Sequence, residues 1–162
     1  MQFDIRAERD TDRKAIYAIT EAAFGQPDEA NLVDLLRADG DSAISLVAHR
    51  VGVIIGHIMF SPMSGEKPIL GLAPVSVAPV MQGKGVGASL IKAGLDMARI
   101  KGYSGAFVLG NPDYYSRFGF SAALAKGFSC PYEGKNFMAI ELKTGALERP
   151  FAVEYAPAFS KL

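Results

Sequence analysis

The chain has 162 residues, of which 49% are hydrophobic, and its 17 Lys+Arg balance its 17 Asp+Glu. A chain of this length buries about 70% of the surface that its unfolded form exposes, so we expect one domain over residues 1–162. The formal net charge of zero argues against a nucleic-acid-binding protein, because binding to phosphates requires a basic surface.

The sequence indicates neither a metal site nor a disulfide. Cys130 is the single cysteine, and His49 and His57 lie far from it without metal-ligand spacing. The longest weakly polar stretch, residues 69–81, contains two prolines and is shorter than the roughly 20 residues that span a bilayer. Because the first residues also lack a signal-peptide pattern, we expect a cytoplasmic protein with no membrane partner.

The first forty residues are predicted to form a strand followed by two helices. Residues 3–6 alternate apolar and polar types as in a short strand, and residues 10–12 provide capping groups for a first helix. Pro27 opens a second helix, which Gly40 ends in a left-handed cap position. The expected apolar stripes of the two helices are Ile16, Ile19 and Ala23, and Leu32, Leu35 and Leu36.

Three β-rich runs follow, at residues 44–48, 53–60 and 69–77. The connections between these runs are too short to contain a helix, and parallel neighbours need long crossovers. The sheet is therefore predicted to be mixed, with a tight antiparallel connection at residues 50–52.

After Val77 the apolar period changes to that of a helix, which is expected to end near Gly102. The apolar positions of this helix are Val86, Leu90, Ile91, Leu95 and Met97. Residues 106–109 then resemble a buried strand, Asn111 caps a short helix, and residues 137–142 form a late strand. Residues 151–162 show no period and receive no assignment.

The most informative segment is residues 82–87 (QGKGVG), which open the long helix. Glycines let backbone N–H groups turn toward an anion at the positive end of a helix dipole. The segment favours a phosphate or pyrophosphate site, and an ordinary glycine-rich turn is the alternative.

Other phosphate-binding motifs fit this segment less well. A Walker loop requires Ser or Thr after Gly-Lys, where Gly85 stands. A dinucleotide-binding fingerprint expects a strand directly before its first glycine and an acid about 20 residues later. Here residues 78–81 intervene, and Val108 stands where the acid would be.

Residues 75–87 (VSVAPVMQGKGVG) resemble the acetyl-CoA signature of the GNAT N-acetyltransferase superfamily. In that signature an apolar strand precedes Gln/Arg-x-x-Gly-x-Gly/Ala at a helix start, and Gln82, Gly85 and Gly87 occupy these positions. A second stretch, residues 114–120 (YYSRFGF), resembles a short helix that lies downstream in the family. Two such motifs in the right order are far more specific than either alone.

The resemblance implies an α/β fold of the α+β type, with a central mixed, mostly antiparallel twisted sheet of about six to seven strands flanked by about four helices. Residues 109–115 look closest to the YhbS-like bacterial branch. Acetyl-CoA is the implied co-substrate, no metal is implied, and the acceptor is a small-molecule or peptide amine. A monomer and a homodimer both fit.

The resemblance also implies where the cofactor binds. Backbone groups of Val75 and Val77 are expected to pair with the pantetheine arm, and the Val77 N–H to stabilise the thioester oxygen. The pyrophosphate is expected on a loop that consists of Met81, Gln82, Gly83, Lys84, Gly85, Val86 and Gly87.

Tyr115 takes the place of the family's general acid, four residues before Gly119. A phenol with an ordinary pKa of about 10 is protonated at neutral pH and can donate a proton to the departing thiolate. Tyr114 points about 100° away on the helix, so only one of the two tyrosines should reach the cofactor. Tyr114 is expected to pack on Phe118 instead.

The sequence leaves the general base and the function class open. Deprotonating a lysine-like amine at pH 7 costs roughly 4–5 kcal/mol, against about 1 for an α-amine, so the need for a base depends on the acceptor. Glu21, His57 and Glu141 are candidates that act through water, with a solvated helix acid, a core histidine and an exposed strand residue as the alternatives. A non-catalytic acyl-CoA-binding sensor and a nucleotide-binding oxidoreductase are the competing hypotheses.

Overall fold

The computed structural model describes residues 1–132 and 134–162. The strands of the described residues are β1 (Asp4–Ala7), β2 (Ile44–Arg50), β3 (Val53–Met63), β4 (Ile69–Val77), β5 (Gly105–Leu109) and β6 (Phe137–Glu141). The helices are α1 (Arg13–Phe24), α2 (Asp28–Ala38), α3 (Val86–Ile100), α4 (Pro112–Tyr115) and α5 (Ala122–Ala125). The predicted helices and strands are therefore confirmed to within a few residues.

The six strands form one sheet in chain order, β1 to β6. All neighbouring pairs are antiparallel except β4 and β5, which run parallel and are connected through α3. This connection contains the helical crossover that a parallel pair requires. The predicted mixed, mostly antiparallel sheet is confirmed.

Helices cover both faces of the sheet, and β3 shows which side chains reach each face. Gly56, Ile58 and Phe60 point toward α3, where Val86 and Leu90 lie directly above Gly56. Met59 points to the opposite face and packs with Ile16 of α1 and with residues of α2. Because side chains alternate along a strand, His57 also lies on this second face, which we call the α1 face.

The centre of the sheet contains a bulge and a separation of two strands. Ile58 faces Val75 and Phe60 faces Leu72, so β4 has one residue more than β3 over this stretch. β4 then pairs with β5 only from Ile69 to Gly71. Beyond Gly71 the two strands diverge, and we call the opening between them the splay.

Two details differ from the sequence-based expectations. On α1, Ile19 and Ala23 are only half-buried, whereas the polar Thr20 is fully buried against the sheet. The period alone could not reveal this, because a threonine counts as polar in an apolar pattern. The last twelve residues form a bridge from Glu154 to Ser64 and a 3-10 turn at Pro157–Lys161, both too short to produce a period.

Replacing Gly94 by Ala is expected to destabilise the protein, although Ala normally favours a helix interior by about 1 kcal/mol over Gly. A methyl group on Gly94 would overlap the fully buried ring of Phe60, which has no space to retreat. Overpacking of this kind costs about 1–3 kcal/mol in the free energy of unfolding. Urea denaturation of Gly94→Ala beside Lys92→Ala, on the exposed side of α3, measures the difference; equal stability would contradict the packing described here.

Candidate active site

The edge of β4 that faces the splay carries polar backbone groups. The Ala78 N–H donates to the Ile55 carbonyl oxygen at 2.9 Å, so Val77 and Gly56 form a non-hydrogen-bonded pair of the antiparallel ladder. In such a pair the N–H and C=O point away from the partner strand. Val75, two residues back, has the same orientation, so the backbone groups of both valines face the splay.

A glycine turn joins this edge to α3. Gly83 and Gly85 have φ angles of 77° and 84°, which place both in the left-handed region that glycine tolerates. The turn presents the first N–H groups of α3, which have no partner within the helix, to the end of β4. The Gln82 Nε2 donates to the Val77 carbonyl oxygen at 3.1 Å and fixes the turn to that strand.

A cavity of about 380 Å³ lies over the turn and is lined by Val77, Met81, Gln82, Gly83, Gly85, Val86, Gly87, Ala88, Tyr114 and Arg117. It brings together seven of the nine predicted cofactor-binding residues. Val75 lies beside it on β4, and Lys84 is exposed in the turn itself. The cavity therefore combines backbone N–H groups, a helix N-terminus and nearby cations, which is the chemistry of an anion site.

Three residues of this cavity, Ala88, Tyr114 and Arg117, were not assigned to it by the sequence analysis. Tyr114 packs on Phe118 with ring centroids 5.3 Å apart, as predicted, but its hydroxyl also reaches α3, where a methyl on Gly87 would lie 3.2 Å from it. The Arg117 guanidinium stacks over the Tyr114 ring at 4.7 Å. The spacing of three residues between Tyr114 and Arg117, which places both on one helix face, was the available signal.

Tyr115 lies at the junction of β5 and α4 rather than over the glycine turn. Its ring packs against Gly110, where a methyl would come within 2.6 Å, and meets the edge of Phe120. Burial, with a smaller contribution from Tyr114, raises the pKa of Tyr115 to about 12. The phenol is therefore protonated throughout the neutral range.

The structure separates the three candidate bases. Glu141 is at the closed end of the sheet, where it pairs with Gly105 opposite Ile69, six residues and roughly 20 Å along β4 from Val75. Its carboxylate accepts the Leu147 N–H at 2.9 Å and so caps a turn, which favours a structural role for this candidate. Glu21 is exposed in the last turn of α1.

His57 is fully buried in β3 and belongs to a hydrogen-bonded chain on the α1 face. Its Nε2 lies 2.8 Å from the Ser45 Oγ, which donates to the Glu8 Oε1 at 2.8 Å. Arg37 of α2 donates to both oxygens of Glu8, each at 2.8 Å. Burial opposes ionisation of Glu8, but the hydrogen bonds from Arg37 and Ser45 outweigh it and hold the pKa of this carboxyl below its usual range.

A second large opening lies far from this region. A groove of about 710 Å³ is bordered by Tyr132, Tyr155 and Phe159. It also includes Met63, which pairs with Ile69 at the closed end of the sheet. The groove is therefore outside the immediate surroundings of Val75 and Val77.

Across residues 1–132 and 134–162, no group of His, Cys, Asp or Glu could hold a metal ion. No helix in that part of the chain is long and apolar enough to cross a bilayer.

The separated parallel strands and the glycine turn at the start of α3 define an acetyltransferase of the GNAT class. The family model described as acetyltransferase (GNAT) domain matches residues 4–123, and the chain belongs to this family. The resemblance to the GNAT family is thus confirmed, and this family replaces the hypothesis of a nucleotide-binding oxidoreductase.

Individual relatives are similar along most of the chain. The uncharacterized N-acetyltransferase YjhQ of Escherichia coli K12 is 39% identical over 75% of this chain and 72% of its own. The crystal structure of YhbS from Escherichia coli in complex with CoA has a TM-score of 0.92 and 34% identity, and covers 99% of this chain and 93% of its own. A GNAT acetyltransferase from Brucella melitensis in complex with acetyl-CoA has a TM-score of 0.84 and 37% identity, with 98% of each chain covered.

The buried His57 predicts a specific loss of stability in acid. Burial lowers the pKa of His57 from 6.5 to about 4, so the unfolded chain takes up a proton at a higher pH than the folded protein. Its contribution to stability is complete above pH 6.5 and is lost as the pH falls toward 4. Between pH 7 and 5 this amounts to about 2 kcal/mol in the free energy of unfolding.

Urea denaturation at pH 7, 6 and 5 measures this loss, and His57→Gln should remove it. Protonation of Glu8 and Asp12 also destabilises the protein, but because the pKa values of both carboxyl groups are lowered, this loss occurs mainly below pH 5. An identical pH dependence in the wild type and in His57→Gln would show that His57 does not stay neutral in the folded protein.

Proposed function

We propose that this protein transfers the acetyl group of acetyl-CoA to an amine by direct attack in a ternary complex. The observation that carries the proposal is that the polar edge of β4 and the anion cavity adjoin at Val77. One extended ligand with an anionic group at one end can therefore contact both. The two related structures that contain CoA and acetyl-CoA support this choice of ligand.

In this proposal the cofactor is bound along β4. Backbone N–H groups of residues 83–87 hold the pyrophosphate at the start of α3, since those of Met81 and Gln82 donate to the Ala78 and Pro79 carbonyl oxygens, and Lys84 and Arg117 add positive charge. The pantetheine arm adds to the splay-facing edge of β4 at Val75 and at the Val77 N–H as an extra strand would, while the Val77 carbonyl oxygen accepts from Gln82. Because backbone amides form most of this anion site, it is compatible with a chain of zero net charge.

The amine nitrogen attacks the thioester carbon, and the C=O electron pair moves to the oxygen, which the Val77 N–H stabilises. The nitrogen then releases a proton to water. The oxygen electron pair re-forms the C=O bond as the C–S bond breaks, and the electron pair of the C–S bond moves to sulfur. Tyr115 donates its phenolic proton to this sulfur, so the products are an amide and CoA thiol. Since the cofactor cavity lies on the side of α3 and α4, the acceptor approaches from the α1 face.

Replacing Tyr115 by Phe is expected to lower kcat about 100-fold, within the range of general acid catalysis, because the thiolate then leaves unprotonated. The affinity for acetyl-CoA should change less than about twofold, since the ring and its packing remain. Thiol release and calorimetric titration measure the two quantities. The half-buried Tyr103, beyond the far end of α3, is a matched control as Tyr103→Phe.

Unchanged turnover of Tyr115→Phe across the pH range would remove the acid role. A wild-type protein that binds acetyl-CoA but transfers its acetyl group to no amine would favour the non-catalytic sensor instead.

Replacing Arg117 by Ala is expected to weaken acetyl-CoA binding about tenfold, the lower part of the range for a hydrogen bond to a charged group. The guanidinium borders the anion cavity and is solvent-exposed, so the effect should also shrink as salt rises. Titration of Arg117→Ala at two salt concentrations tests this. Arg99→Ala, at the opposite end of α3 beside Asp96, is the control; equal affinities of the two variants would exclude a cofactor contact at Arg117.

A further inference from the structure

A row of polar side chains crosses the α1 face of the sheet and ends beside the proposed reaction site. Glu8 directly after β1, Ser45 of β2, His57 of β3 and Ser76 of β4 each come from the next strand along. We call these four residues the polar row. We propose that the polar row removes the proton of the attacking amine, which passes through a water molecule beside Ser76 to the Nδ1 atom of His57.

The hydrogen bonds of the row determine which nitrogen of His57 is basic. An ionised Glu8 can only accept hydrogen bonds, so the single hydroxyl hydrogen of Ser45 is used in the bond to Glu8. The Ser45 oxygen must then accept from the Nε2–H of His57 at 2.8 Å. A neutral imidazole has one N–H, so Nδ1 carries a free lone pair.

Ser76 is the residue of β4 that lies opposite His57. His57 and Ser76 are directly opposite in the antiparallel ladder, in a hydrogen-bonded pair, which puts their Cα atoms about 5.5 Å apart and their side chains on one face. Both residues are almost fully buried, at 0% and 1% exposure. Neither the His57 Nδ1 nor the Ser76 Oγ has a hydrogen-bond partner within residues 1–132 and 134–162.

A buried water molecule would supply the missing hydrogen bonds of the His57 Nδ1 and the Ser76 Oγ. Buried polar atoms are rarely unpaired, and an ordered water bridges groups that are too far apart for a direct hydrogen bond. Thr20, on the helix that packs over β3 and β4, has a third buried oxygen without a partner among the described residues. Three polar atoms are the typical number of partners for one buried water.

The row ends where the proposed function needs a proton acceptor, and in this respect the inference rests on that function. Ser76 lies between Val75 and Val77, whose backbone groups face the splay, and its side chain points to the face from which the acceptor approaches. After the C–N bond forms, the nitrogen releases its proton to the water. The water passes a proton to the His57 Nδ1, and the N–H electron pair stays on nitrogen.

The surroundings of His57 act on its charge in both directions. Burial, the largest effect, and Arg37 lower its pKa, whereas Glu8, 3.7 Å from the Nε2 atom, and Asp12 raise it. Burial keeps His57 neutral until the pH falls to about 4, so its lone pair is available over the whole physiological range. Glu8 can then stabilise the proton after it arrives.

The test compares three variants with matched geometry. His57→Gln keeps a donor to Ser45 in the position of Nε2 but removes the acceptor at Nδ1. Ser76→Ala removes one partner of the water and preserves the strand. Ser61→Ala is the control, because Ser61 is also buried in β3 with an oxygen that lacks a described partner, but stands four residues from His57.

We expect kcat to fall about 100-fold in His57→Gln and about tenfold in Ser76→Ala, with Ser61→Ala within about twofold of the wild type. The acceptor in these assays is the one that the wild type acetylates fastest among three amines: a peptide with a free α-amine, a lysine-containing peptide and spermidine. Acetyl-CoA affinity should be unchanged in all three variants. The loss in His57→Gln should also shrink as the pH rises from 7 to 9, since hydroxide then takes the proton; a merely structural role would not produce this rescue.

Equal turnover of Ser76→Ala and Ser61→Ala would overturn the relay, even if His57→Gln fails to fold. A loss in His57→Gln that is the same at pH 7 and pH 9 would also overturn it. A wild-type protein that binds acetyl-CoA but acetylates none of the three probes would instead remove the proposed function, and the relay with it.

Discussion

The separation of β4 from β5 beyond Gly71 is the constraint on which the rest of this structure depends. Inside a sheet, backbone N–H and C=O groups are normally paired with the neighbouring strand, because leaving them unpaired in a buried place is costly. Here the central parallel pair ends after three residues, and the polar edge of β4 faces an opening instead. The bulge opposite Ile58 and Phe60 lies just beyond this point and changes the side-chain alternation of β4 where the opening begins. An extended ligand that supplies the missing hydrogen bonds is the natural occupant of such an opening.

The crossover helix α3 packs on β2, β3 and β4 and brings the glycine turn to the end of β4. α3 packs closely on the sheet because Gly94 leaves room for the Phe60 ring, while Val86 and Leu90 sit directly over Gly56. This contact positions the helix N-terminus beside Val77. The left-handed conformations of Gly83 and Gly85 then let the chain enter the helix in a short turn with its N–H groups directed outward. Packing of the core and geometry of the anion site are thus consequences of the same few small residues.

The sequence predicted the features that arise from neighbouring residues, and it could not predict those that arise across strands. The glycine turn, the α3 period and the cap at Asn111 are local, and the structure has them where they were expected. The role of Glu141 stayed open because its turn-capping hydrogen bonds come from residues after the strand, whose conformation has no periodic signal. The polar row joins residues 8, 45, 57 and 76, whose proximity depends on strand order and register. The position of Arg117 at the cavity was missed for a different reason. Arg117 lies inside the motif of residues 114–120, but only the aromatic residues of that motif were considered.

Burial shifts the pKa values of Tyr115 and His57, the two residues that the proposed mechanism uses, in opposite directions. Both shifts favour the neutral form of the side chain. It raises the pKa of Tyr115 to about 12 and lowers the pKa of His57 to about 4. A neutral phenol retains a proton to give, and a neutral imidazole retains a lone pair to receive one. Tyr115 packs against residues at the end of β5, whereas His57 lies on the α1 face behind β4. In the proposed mechanism a proton is delivered to the sulfur at one side of the splay and removed from the nitrogen at the other. The loss of a proton by Tyr115 and the gain of one by His57 would leave the net charge of the protein unchanged.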